Sequence, residues 1–493
     1  MRGLFGRDSL YMVTWALQLL GAAALTPVLT RLVGTDEFGI VATATAVMQV
    51  LFVISGLGLA TSLQRRYAGP NGPTEAARLL TLAVLGAGVL TVLADATGPV
   101  WSGLLGFDDY GSALRLAVYW AGLSAVTNAC LALLRSQDRL LGFSTVSLLQ
   151  SVGAGAASLL LVLFVAPTAM VFILGQMALQ VAALGLALCL APPALLRVRD
   201  KPLVREALGY GLPLVPAVLC TFVLTTADRL MVQGQLGLTP VARYQVAYNV
   251  GDMPILLLSV LATTWMPRIF ALNRPGERAA VIAASRDALY RLLIPVMVGL
   301  SLGAPLVLRV WAPPEYRPDD LLLVTVVVIV SAVPYTAALA VSRALLAEGY
   351  TRTIAASTAV AAVTNIALNL VLISRLELVG AALATFISYA VQHRMLLLKA
   401  RALLPLAPSP ASRLFALAGA AAIALLTTVI PTDAGFLALR GVLVLASVVW
   451  FVRVLIEVSS GRSTASTSRR TGPSGRHHRK EAPFRSGVVL SSD

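Results

Sequence analysis

Ionisable side chains inside long apolar runs are the residues of this sequence best placed to do chemistry. Arg115, Asp228 and Arg229 lie within such runs, and Arg31 lies at the edge of one. A charge held in hydrocarbon surroundings is costly, so each is a candidate for function by default. An arginine offers a planar fork of donors that matches phosphate oxygens two at a time. The competing reading is that these arginines reach out to the headgroup level while Asp228 neutralises a neighbour. For Arg31 the two readings are evenly balanced. Adjacent residues on a helix point about 100° apart, so Asp228 and Arg229 are not expected to pair with each other. Thr221, Thr225 and Asp228 follow at i, i+4 and i+7, which makes Asp228 the inward member.

Uncharged polar residues form further faces at helical spacing. Thr14 and Gln18 stand four apart, as do Asn365 and Asn369, and one run carries Ser124, Thr127, Asn128 and Arg135. Hydrogen bonds between helices, about 0.6 kcal/mol each, account for such residues without any ligand. That is the preferred reading for Asn365 and Asn369. His393 falls near the end of its run, as an interfacial residue would. Cys130, Cys189 and Cys220 sit in apolar runs without ligand spacing, so they are expected to be small buried side chains. Neither a metal nor a cofactor is expected. Pro27, Pro213, Pro216, Pro254 and Pro295 lie within runs and can supply bends.

The elements that must position these residues follow from composition. Of 493 residues 58% are hydrophobic and 12% charged, with a mean hydropathy of +0.83. A soluble chain carries about a quarter charged residues, so lipid is the solvent that suits this one. The net charge of +15 is almost wholly arginine, since Lys201, Lys399 and Lys480 are the only lysines. Those charges sit in short segments between apolar runs, which suits membrane orientation rather than nucleic-acid binding.

A crossing needs about 20 apolar residues. That length predicts an all-α polytopic protein with fourteen spans. The first six are 9–31, 39–62, 78–99, 111–134, 144–166 and 168–190. Six more follow at 209–231, 244–267, 288–310, 320–343, 353–374 and 378–399, and a final pair at 412–431 and 436–456. Gly69-Pro70-Asn71-Gly72-Pro73 and Ala191-Pro192-Pro193 are typical of the breaks. The first run lacks a small-residue cleavage site and is expected to stay in the membrane. Placing both termini in the cytoplasm puts roughly thirty basic residues inside, against six arginines outside (Arg31, Arg243, Arg309, Arg317, Arg375 and Arg440). The segment 459–493, with His477 and His478, is expected to be disordered and to lie on anionic headgroups.

Two stretches repeat about 200 residues apart: Leu-Ala-Thr-Ser-Leu-Gln-Arg-Arg at 59–66 and Leu-Ala-Thr-Thr-Trp-Met-Pro-Arg at 261–268. Six spans separate them, so both copies start on the same side and the substrate path is expected between them. The expected organisation is an N-lobe at 1–191, a cytoplasmic linker at 192–208 and a C-lobe at 209–400. Spans thirteen and fourteen occupy 401–458, and the basic tail 459–493.

Four motifs in order resemble the polysaccharide-biosynthesis flippases, the O-antigen and exopolysaccharide branch of the multidrug/oligosaccharidyl-lipid/polysaccharide exporter superfamily, related to lipid II flippases. They are 27–39, beginning Pro27-Val28-Leu29-Thr30-Arg31; Tyr210-Gly211-Leu212-Pro213 with Ala227-Asp228-Arg229; 242–248, where members usually carry glycine in place of Arg243; and Asn365–Asn369 with 379–385. The resemblance implies two six-helix lobes around a V-shaped cavity that opens alternately to either side. Its cargo would be a polyprenyl-diphosphate-linked oligosaccharide for cell-surface polysaccharide, moved across a bacterial inner membrane. Membrane lipids would be partners, and a polysaccharide polymerase and glycosyltransferases could be. On that footing Arg31, Arg115, Arg229, Gln18 and Asn128 are expected to bind substrate in one shared cavity. Asp228 is expected to carry a coupling ion or a structural ion pair. A cation-coupled drug exporter of the same superfamily is the main alternative, though the N-lobe spans have almost no carboxylates for it. An enzyme of polysaccharide assembly fits less well, because the chain lacks an acid–base constellation and a large external loop.

Overall fold

The computed structural model describes residues 8–459, apart from 106, 108, 198–199, 264, 266–268, 270–271, 273 and 404–406. Every regular element among the described residues is a helix. This is the outcome lipid imposes, since a helix satisfies its backbone polar groups internally. The expected basic tail lies outside the described residues.

Eleven helices among the described residues are long and apolar enough to cross a membrane, or twelve if Leu238–Gly251 and Met253–Ala262, bent by 41°, form one span. Fourteen is therefore not reached on these criteria. Two features separate the numbers. Helix Asp8–Leu32 is not among the eleven, and the two spans expected at 353–374 and 378–399 run together as one 53-residue helix, Thr351–Leu403. At 1.5 Å per residue a straight helix of that length would measure about 80 Å, far beyond the hydrocarbon thickness. Its break is at Glu377 (φ 49°, ψ −129°).

Other expected spans are broken inside. Helix Thr35–Gly56 ends where Leu57 and Gly58 both take positive φ (50° and 67°), and a short helix resumes at Leu59–Tyr67. Gly58 is needed there for space as well as conformation, because a Cβ would lie 2.3 Å from the Gly211 carbonyl oxygen. The stretch expected to be a linker contains the start of helix Lys201–Gly211, which packs against Leu59–Tyr67. There Ser62 donates to the Ala207 carbonyl at 2.9 Å.

Packing partners recur between the halves. Helices 35–56 and 72–96 both pack on 112–136, which packs on 169–190, while 8–32 packs on the helix Leu140–Phe164. In the second half, 238–251 and 275–311 pack on 322–347, which packs on 351–403, and 214–236 also lies on 351–403. One apolar cluster belongs to the first half (Leu59 to Ala207) and one to the second (Leu224 to Val454). A third, from Leu29 to Ala382, joins them.

Candidate functional site

The halves meet where the second half departs from regular helix. Helix Leu214–Thr225 stops, Thr226 takes φ −144° and ψ −27°, and a new helix runs Ala227–Leu236. The restart places Asp228 in a first helical turn, where backbone N–H groups lack intrahelical partners and negative charge is favoured. Asp228 Oδ1 accepts the Arg229 backbone N–H at 3.0 Å and Arg229 Nη1 at 2.8 Å. Its Oδ2 accepts the Tyr244 hydroxyl at 2.6 Å. Both oxygens are occupied, and the residue is 1% exposed.

Arg229 is 5% exposed and held from several directions. Nε donates to Gln245 Oε1 at 2.9 Å and Nη1 to the Thr225 carbonyl at 2.6 Å. The guanidinium carbon lies 4.1 Å from the centre of the Tyr248 ring, a cation–π contact. From Gln245 a chain of amides continues outward. Gln245 Nε2 donates to Asn249 Oδ1 at 2.6 Å, and Asn249 Nδ2 to Thr26 Oγ1 at 3.2 Å. The Thr226 hydroxyl donates to Gln49 Oε1 at 3.3 Å. The bonds to Thr26 and Gln49 tie the second half to the first.

These groups line a cavity of about 340 Å³. Thr26, Thr45, Gln49 and Gln176 enter it from the first half, and Thr226, Arg229, Gln245 and Asn249 from the second. Phe38, Trp120 and Phe172 belong to its apolar remainder. Among the described lining residues Arg229 is the one that carries a charge. Amide and hydroxyl groups around a single fixed cation suit an anion attached to a neutral polar body.

The cavity is closed at the end of the bundle that carries the 32–35 turn. Thr30 donates to the Trp311 carbonyl at 2.8 Å and Arg31 Nη2 to the Val310 carbonyl at 2.7 Å. Thr239 is hydrogen-bonded to Asp36, and the Phe38 and Tyr316 rings meet edge-on at 6.0 Å. Gly39 passes Leu238 so closely that a Cβ would lie 2.3 Å from the Leu238 carbonyl oxygen. Tyr316 lies outside the spans with its hydroxyl buried and unpartnered, and burial pushes that phenol's pKa up.

The expected convergence of Arg31, Arg115 and Arg229 is not what the geometry gives. Arg229 alone lines the cavity. Arg31 is exposed and caps carbonyls of its own helix and of helix 275–311. The Arg115 side chain is 57% exposed and pairs with Asp95 at 3.0 Å beside Tyr110. Gln18 donates to the Ser147 carbonyl at 3.1 Å within the first half, and Asn128 is exposed outside the cavity wall. The expectation that Asp228 and Arg229 do not pair is overturned, because the arginine side chain folds back over the first turn of a restarted helix. Arg229 also lies deeper than an end position, since its helix continues to Leu236, about 10 Å further. Asn365 and Asn369 are fully buried, but the bond their side chains make at 2.9 Å joins them to each other within one helix and not, as expected, to a neighbouring helix. Cys130 is buried, whereas Cys189 is exposed. Gln49, Gln245 and Asn249 were not singled out by sequence, although Gln245 and Asn249 stand at i, i+4 within an apolar run.

A family model described as polysaccharide biosynthesis protein matches residues 9–273. That is more than half of the chain. The chain belongs to the polysaccharide biosynthesis protein family. No curated protein sequence matches this family member. In three dimensions it is similar to the lipid II flippase MurJ in an inward closed conformation, with a TM-score of 0.69 and 14% identity, over 91% of this chain and 99% of that one. It is also similar to an inward-facing multidrug resistance MATE transporter of the MOP superfamily, with a TM-score of 0.62 and 16% identity, over 82% and 96% of the two chains. An outward-facing MATE structure matches with a TM-score of 0.54 and 15% identity, over 79% and 93%. At these identities the likeness is one of fold. This member of the family is a multi-pass membrane protein with a transporter fold.

Proposed function

We propose that the protein is a flippase that carries a polyprenyl-diphosphate-linked oligosaccharide across the bacterial cytoplasmic membrane by alternating access. The observation that carries this reading is the cavity wall, in which, among the described residues, Arg229 is the single charge amid amides, hydroxyls and aromatic rings. The diphosphate of such a lipid needs a cationic partner in a cavity shielded from hydrocarbon, and the attached sugars need amide and hydroxyl partners. In this reading Arg229 contacts the diphosphate, and Asp228 is a positioning residue that orients it. Arg31 belongs to the closed end and Arg115 to the rim.

The two lobes, 1–191 and 209–400, would rock against each other so that the closed end opens in its turn, with both termini cytoplasmic and the pair at 401–458 packed outside the C-lobe. The product would feed a polymerase acting on O-antigen or exopolysaccharide units, and glycosyltransferases would supply the cargo. The MATE-like fold also favours a cation-coupled drug exporter, but among the described residues the cavity wall carries no carboxylate to hold a cation.

The test is flipping of a fluorescent undecaprenyl-diphosphate sugar in proteoliposomes, scored by its accessibility to an impermeant quencher. Protein-dependent flipping that Arg229→Ala abolishes, at normal protein level, supports the reading. Transport of organic cations without flipping of the sugar lipid would replace it with the exporter reading.

A further inference from the structure

Helix 35–56 meets two different surroundings on adjacent faces. Ala46 and Gln49 face the polar cavity, while Val47 and Val50 face a separate groove of about 510 Å³. The far wall of that groove is helix 72–96 together with the short helix Gly98–Leu104. Its lining is apolar except for Thr97, whose hydroxyl is committed to the Leu93 carbonyl at 2.7 Å. The Trp101 indole N–H is likewise committed, to the Ala94 carbonyl at 2.8 Å. The groove therefore offers hydrocarbon contact and no free hydrogen bond. It is open at the side, where Leu93 is 53% and Leu104 83% exposed.

Among the described residues the second half contributes one to this groove, Leu230, the neighbour of Arg229. Consecutive residues of one helix thus serve two compartments, Arg229 the polar cavity and Leu230 the apolar groove. The Thr226–Gln49 hydrogen bond, on the cavity side, ties the helix break before Arg229 to helix 35–56. An amphiphile with an anionic head and a hydrocarbon chain matches that division, because its polar and apolar parts are joined at one atom.

We propose that this groove holds the first hydrocarbon segment of the cargo lipid while its diphosphate lies at Arg229. The inference rests on the flippase reading and adds to it the path of the chain, beside helices 35–56 and 72–96. The helix it shares with the cavity, and the neighbouring residues Arg229 and Leu230 that line one compartment each, single the groove out from the rest of the lipid-facing surface. An unrelated phospholipid could fill an apolar groove, but its occupancy would not depend on Arg229.

The experiment uses the full chain in nanodiscs, with its native cysteines replaced and a benzophenone attached to Val50→Cys in the groove or to Thr45→Cys in the cavity. The probe is a radiolabelled undecaprenyl-diphosphate sugar, with unlabelled phospholipid in excess. Adducts at both positions are expected, with the groove adduct falling about tenfold in the Arg229→Ala background. A cavity adduct with no groove adduct above the phospholipid background overturns the proposed chain path and leaves the flippase reading standing. Absence of adducts at both positions overturns the flippase reading itself. A groove adduct indifferent to Arg229→Ala means bilayer lipid only and overturns the inference. Leu93→Trp supplies a second measurement. It should slow flipping of the long-chain lipid and spare a two-isoprene analogue, and equal slowing of both would count against a chain-binding groove.

Discussion

Asp228 and Arg229 are sequence neighbours that form a buried ion pair at 2.8 Å, and Tyr244 holds the other carboxylate oxygen at 2.6 Å. The pair leaves the Arg229 guanidinium at the cavity wall with its orientation fixed by Gln245, Thr225 and the Tyr248 ring. Such an arrangement lets a cation persist beside a low-dielectric wall and stay ready for an anion.

Arg229→Lys keeps the charge but cannot reproduce the bonds to both Gln245 and Thr225 or the planar fork, so flipping should fall about tenfold with expression retained. Arg229→Ala strands the buried Asp228 carboxylate, which costs about 3–5 kcal/mol, so loss of flipping should come with a lower Tm. Vesicle flipping assays paired with thermal melts separate the two effects. Equal flipping by wild type and both variants would remove Arg229 from the cargo path.

Tyr244→Phe removes one bond to a charged group and should destabilise the protein by about 2 kcal/mol. Asp228→Asn should also lower thermal stability, and the two substitutions together should cost less than their sum because they share one contact. A double-mutant cycle on melting temperature measures this. If Asp228→Asn leaves stability intact but abolishes the dependence of flipping on an ion gradient, Asp228 is instead a coupling group.

Gly39→Ala places a methyl group against the Leu238 carbonyl and should force the closed end apart. A cysteine at Thr45 should then become reactive to an impermeant thiol reagent added on the side of the 32–35 turn. Unchanged reactivity would mean that helices 35–56 and 238–251 adjust without opening.

Asp36→Cys with Thr239→Cys tests the same end from the other direction. Oxidation should arrest flipping and a reductant should restore it. Flipping that continues at full rate in the cross-linked protein would show that this end stays closed throughout the cycle.

Arg31→Ala and Arg115→Ala should change flipping less than about threefold, since exposed polar contacts of this kind contribute little. Flipping measured on both variants checks this. A loss as large as that of Arg229→Ala would return them to the cargo path.

The helical class was legible in the sequence because lipid leaves a run of about 20 apolar residues few alternatives. The helix breaks were less so. Gly56 and Gly58 flank Leu57 (φ 50°) and signal that break in their residue type, but Glu377 with φ 49° takes positive φ without any local signature. The Asp228–Arg229 geometry was not legible for the same reason, since neither Gly nor Pro marks the restart at Thr226. Gln245 and Asn249 were readable as a polar face four residues apart. Their signal is weaker than that of an arginine or aspartate, because a buried amide costs less than a buried charge.

The closed end is fastened largely to main chain. Thr30 and Arg31 hold the carbonyls of Trp311 and Val310, which end helix 275–311 and have no partner within it. At these two bonds the keeper is backbone, so they need no matching side chain on the opposite half. When the halves part, those carbonyls and the exposed Arg31 return to water, where each finds new partners at little cost. Unlatching and relatching are then close to balanced in free energy, which is the condition for a door that must swing many times without a large external push.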